Sequence, residues 1–121
     1  MKPIKQTTYY GGGKNHGNCV QAAVASILEI DLDEVPHFLL FGDNWDKALV
    51  CFMRSRGRKY GGVNTNPAKW KDIKTINGYY LAVGISPRGV YHCCVYKDGE
   101  LSHDPHKDGG GIIVEFIYSF Y

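Results

Sequence analysis

Apolar positions follow one period in the first half of this chain and another in the second. From Cys19 to Leu28 no residue is charged, and only Gln21 and Ser26 are polar. A helix apolar nearly all round is a buried helix, so residues 19–29 are expected to form one at the centre of the fold. Asp31-Leu32-Asp33-Glu34-Val35 reads as a helical turn whose acidic residues suit the positive end of its dipole, and Pro36 ends it. Phe38-Leu39-Leu40-Phe41 is an apolar segment expected to pack on the first helix. Asp43-Asn44 caps a second helix over 45–55, with Trp45, Leu49, Phe52 and Met53 at core-facing spacing and Gly57 as its stop.

Past this point the period shortens. Residues 59–63 read as a short strand, and 64–77 as mainly loop with one helical turn near 68–71. Residues 79–85, 90–96, 101–104 and 112–121 read as strands rich in β-branched and aromatic side chains. Ser86-Pro87-Arg88-Gly89 and Asp98-Gly99 are the turns between them. Helices first, then an antiparallel meander, predict one α+β domain over 1–121 with N-terminal helices packed on a C-terminal sheet. Residues 3–10 are an arm or a short edge strand, and 11–17 a flexible glycine loop. Gly11-Gly12-Gly13-Lys14 lacks the GxxxxGK[ST] pattern, which removes a phosphate loop.

Composition narrows the function. With 121 residues, 44% of them hydrophobic, the chain makes one core of ordinary size. The net charge of +2 is scattered, and the basic clusters at 54–59 and 69–71 read as solvated surface, so no nucleic acid is expected as partner. No apolar signal core follows Met1-Lys2-Pro3 and no run approaches spanning length; a cytoplasmic protein with no membrane partner is expected. Four cysteines in a reducing compartment are expected to stay free. Cys51 reads as a small buried hydrophobe, while Cys93 and Cys94, adjacent in a strand, face opposite sides. The aromatic tail 116–121 is either a buried strand or the edge of a homodimer.

Cys19 differs from the other thiols because Gly17-Asn18 delivers it to a helix start. Asn18 has the chemistry of an N-cap. The first-turn amides point outward unpaired there, and the dipole favours thiolate, the nucleophilic form. A cysteine nucleophile needs a group that takes and returns a proton, and histidine suits both jobs. Of five histidines, His92 lies inside an apolar strand. A hairpin turning at 97–100 sets Asp104 one residue out of register with His92, an offset that a bulge or a diagonal contact absorbs. A carboxylate there would fix the imidazole tautomer and stabilise its cation. Each of the three also has a plain structural reading: a buried thiol, a core histidine bonded to backbone, and an Asp-Pro turn opener. The coincidence of the three is what points to chemistry.

That order of parts resembles the papain-like cysteine peptidase superfamily, and most of all the small bacteriocin leader peptidase type: Cys at a helix start, strand His, then Asp-Pro. Residues 17–36 are also similar to short phage proteins in which a Gly-(Asn/Asp)-Cys helix precedes a Leu-acidic-acidic-Val-Pro turn. The resemblance covers about residues 5–41 and 79–104. It implies thiolate attack on a carbonyl, with Cys19 as nucleophile, His92 as general base and acid, and Asp104 as orienting group. It also implies a peptide, isopeptide or small amide as substrate, an acyl transfer as the alternative outcome, and a phage setting with a host component as target. No cofactor is implied. The family places an oxyanion-hole glutamine six residues before the cysteine, where this chain has Gly13. Gln6, Asn15 and Asn18 are the candidates for that role.

Two other function classes compete. One is a binding protein or inhibitor of the phage anti-defence type on the same scaffold, which the nine tyrosines and the glycine-rich mouth also suit. The other is a zinc site drawn from Cys94, His103, His106 or Cys19, for which no Cys-x-x-Cys pair speaks.

Overall fold

Helix α1 (Cys19–Leu28) lies across one face of a five-stranded antiparallel sheet, packed chiefly on its β3 strand. The coordinates are a computed structural model, which describes residues 1–10 and 17–121. Of the glycine loop expected at 11–17, residues 11–16, with Asn15 among them, lie outside the described residues. Helix α2 (Trp45–Ser55) follows two short 3-10 segments, Leu32–Glu34 and Phe38–Asn44. The strands are β1 (Tyr60–Asn64), β2 (Tyr79–Ile85), β3 (Tyr91–Lys97), β4 (Glu100–His103) and β5 (Ile113–Phe120). The class is therefore α+β, with the helices N-terminal and the antiparallel sheet C-terminal.

The sheet order is β1-β5-β2-β3-β4, so a simple meander describes only β2, β3 and β4. The chain then returns across the sheet and inserts β5 between β1 and β2. Ile117, Tyr118, Ser119 and Phe120 are all buried there. The aromatic tail is thus an interior strand and not an exposed dimer edge; β1 and β4 are the edges.

Both faces of the sheet are covered, which explains why β2 reads as an almost continuous apolar run. On one face Leu81, Val83, Cys93 and Val95 meet α1, Phe38, Leu49 and Met53. On the other, Tyr80, Ala82, Cys94 and Tyr96 pack under Trp70, carried by the 3-10 segment Pro67–Asp72. Cys93 and Cys94 do face opposite sides, and all four cysteines are free. In α1, Ala22, Ala23 and Ala25 have no exposed surface, and their small side chains let helix and sheet approach closely.

Three local expectations are corrected. Cys51 is exposed on the outer side of α2 and not part of the core. Asn44 precedes α2 without a side-chain cap. Of the segment 38–41 only Phe38 is fully buried; Leu40 and Phe41 point to solvent. The β3–β4 turn follows its sequence signal, with positive φ at both Asp98 and Gly99 as a two-residue hairpin loop requires. Among the described residues no helix is long and apolar enough to cross a membrane.

Candidate active site

The N-terminal arm brings the first site residue into place. It forms no strand but is pinned along two elements. Lys2 and Ile4 donate their amides to Ser26 on α1, through its carbonyl and its Oγ. Further on, the Gln6 amide donates to the Pro105 carbonyl, and Lys5 Nζ donates to the carbonyls of Asp104 and His106. His103 Nε2 donates to the Ile4 carbonyl at 2.7 Å. Gln6 is left buried beside the start of α1, where its side chain lines the same cleft as Cys19.

Asn18 does something other than cap. Its Oδ1 accepts the amides of Thr7 and Thr8, each at 2.9 Å. Its Nδ2 donates to Thr7 Oγ1 and Gln21 Oε1. A lost N-cap costs about 1 kcal/mol. Two part-buried amides left without acceptors would cost about 1–3 kcal/mol each, so the strap is the better use of the side chain. Two consequences follow. The first-turn amides of α1 have no side-chain cap, and both amide hydrogens of Asn18 are spent. Asn18 is thereby removed from the candidate oxyanion donors. Among the described residues Gln6 Nε2 donates only to Thr8 O, at 2.8 Å, and Gln6 Oε1 is buried without a partner. Asn15 lies outside the described residues.

His92 and Asp104 are joined directly. His92 Nε2 donates to Asp104 Oδ1 at 2.6 Å, with both residues buried. A bulge between Val95 and Tyr96, after which Val95 pairs with His103, widens the offset between them from one residue to two. Continued past β4, that register puts Asp104 opposite Cys94 and diagonal to His92. The carboxylate is held from the other side by the amides of His106 at 2.8 Å and Gly111 at 2.7 Å. Asp104 is thus both a turn residue and the partner of the histidine.

Burial is the largest influence on the His92 ring and works against its charge. The hydrogen bond to Asp104, with help from Cys19 and Cys94, outweighs it and pushes the ring up to about 11. For Asp104 burial again opposes ionisation, and the bonds from His92 and the two amides hold the carboxyl well below its usual range. The pair therefore exists as imidazolium and carboxylate at neutral pH. Its stabilisation has a defined pH window. The His92 part is whole below 6.5 and is lost as pH rises towards about 11. The Asp104 part is whole above its ordinary value of 3.8 and is lost as pH falls further. The thermal midpoint should be highest between these limits and decline slowly on the alkaline side. A midpoint that stays level from pH 6.5 to 10 would contradict the ion pair.

Cys19 and His92 sit together between two hollows. One, of about 660 Å³, is walled by Gln6, Tyr9, Tyr10, Arg88, Tyr91 and His106. The other, of about 240 Å³, is apolar, with Val20, Leu39, Trp45 and Phe116 among its walls. Two features of this site had no clear sequence signal, Lys5 and the Arg88–Asp108 ion pair at the rim; His106 in the wall and Cys94 behind the ring were read from sequence only as zinc candidates. The zinc set read from sequence is not assembled, since His103 is committed to the Ile4 carbonyl and Cys94 instead neighbours His92 and Asp104. Compared with known proteins, the chain matches no family model, no curated protein and no solved structure.

Proposed function

We propose that this protein is a cysteine-dependent hydrolase or acyltransferase of papain-like type, acting on a peptide, isopeptide or small amide. The observation that carries the reading is the buried 2.6 Å bond between His92 and Asp104, made beside a cysteine at the start of a buried helix. In the reaction the Cys19 sulfur attacks the substrate carbonyl as thiolate, its proton held by His92. Asp104 keeps the ring oriented through Nε2 and stabilises the imidazolium, which leaves Nδ1 for the sulfur and the leaving group. The ring returns its proton as the amine departs, and water or a second amine then opens the thioester. On this reading the first-turn amides of α1 and the second hydrogen of Gln6 Nε2 are the donors for the oxyanion.

A second reading, a binding protein without turnover, is favoured by the tyrosines that wall the larger hollow. Iodoacetamide labelling tests the chemistry, with exposed Cys51 as an internal reference for an ordinary thiol. Cys19 is buried and should nevertheless be alkylated at least tenfold faster than Cys51. Labelling of Cys51 first, with Cys19 as slow as buried Cys93, would remove the nucleophile from the proposal.

A further inference from the structure

Cys94 is a fully buried thiol that the reaction above does not use. It shares a face of β3 with His92, two residues away, and Asp104 reaches both from beyond β4. One ligating atom from each of His92, Cys94 and Asp104 can be chosen so that all three lie within 4.8 Å of one another. We propose that these three residues form a binding site for a soft divalent ion of the zinc class, which replaces the proton shared by the imidazole and the carboxylate.

Geometry and charge both fit. Zinc bonds of 2.0–2.3 Å in a tetrahedron set ligand atoms about 3.3–3.8 Å apart. The cluster reaches that spacing if the sulfur moves inward by about 1 Å and the His92–Asp104 contact opens by less than that. Thiolate, imidazole and carboxylate together select zinc or cobalt over magnesium or calcium. Charge is conserved in the buried space. Before binding, the site holds an imidazolium, a carboxylate and a neutral thiol. As the ion enters, the ring and the thiol release two protons to solvent, and the cluster of ion, imidazole, thiolate and carboxylate is again neutral. No net charge is added to the buried space, which limits the desolvation penalty of the entering ion.

This site stands independently of whether Cys19 is catalytic. The test is titration of Co²⁺ into the reduced full-length protein, with Cys51→Ser in every sample to remove the exposed thiol. One ion per chain is expected, with a near-ultraviolet sulfur-to-cobalt band that one equivalent of Zn²⁺ bleaches. Cys94→Ser should lose the charge-transfer band and bind at least tenfold more weakly, whereas Cys19→Ala should keep both. Asp104→Asn, which retains the thiol, should keep the band with affinity at least tenfold lower. Failure of the parent protein to bind saturably overturns the site even if a variant does not fold. So does a sulfur band that survives Cys94→Ser or vanishes with Cys19→Ala.

Discussion

Cys19→Ser should reduce release of p-nitrophenol from an activated acyl ester by about 10⁴-fold or more, while the fold is kept. The two side chains differ little in size, so α1 and the buried cleft have no reason to move. The loss comes from proton chemistry. His92 is held as a cation by Asp104, its ring pushed up to about 11. A ring already protonated at neutral pH cannot remove a proton from a hydroxyl, whose alkoxide is far less accessible than a thiolate. On the proposed reading the arrangement serves sulfur and not oxygen. Asp104→Asn acts on the other end of the same pair. It deprives the imidazolium of its counter-charge, and a loss of about 10²- to 10⁴-fold is expected, with the alkaline decline of stability flattened. Burst kinetics on the purified variants would measure both. Retention of more than a tenth of the parent rate by Cys19→Ser would eliminate the nucleophile and leave a binding cleft.

Gly84→Ala should cost more than about 4 kcal/mol, enough to unfold a domain of this size or bring it to the edge. Gly84 lies in β2 between β5 and β3, paired with Val114 on one side and His92 on the other. A methyl group there would overlap the Ile113 carbonyl oxygen and stand 2.7 Å from its carbon and 3.1 Å from Val114 Cα. All of these are backbone atoms of an interior strand, so none can swing aside as a flexible side-chain end would. The register shift between Val83 and Gly84 is the place where β5 comes close enough to require glycine. The usual gain from replacing glycine, about 0.4–1 kcal/mol from the unfolded chain, is too small to offset that overlap. Gly110→Ala is the control. Its new methyl would meet mainly the Pro87 ring, which can give slightly, and a change below about 1 kcal/mol is expected in urea unfolding. Equal midpoints for the two variants would show that β5 can move away from β2 at little cost.

Much of the framework was legible because it depends on neighbours along the chain. The uncharged run from Cys19 to Leu28 identifies α1, since no amphipathic surface helix can afford ten residues without charge. Asp98-Gly99 specifies the β3–β4 hairpin because few other pairs accept two positive φ angles. The same reasoning placed His92 near Asp104; the two meet as diagonal neighbours, while the bulge between Val95 and Tyr96 shifts the register away from a direct pair. It failed where a residue has two competing uses. Asn18 has the chemistry of a cap, but two amides from the distant arm compete for its oxygen and win. Cys51 sits in an apolar hexapeptide, yet it turns outward because the helical period sends Leu49 and Met53 to the core instead.

The sequence by itself determined the class of the fold, the position of Cys19 at a helix start and the hairpin that carries His92 towards Asp104. These are local matters, settled by periodicity, turn chemistry and spacing within a few residues. Only the tertiary structure decided that β5 returns to the middle of the sheet, that the arm carries Gln6 to the cleft, and that Cys94 stands behind the histidine. The physical reason is that strand order, docking of a terminal arm and sharing of a buried donor are selected by which distant surfaces satisfy each other, and no short window of residues contains both partners.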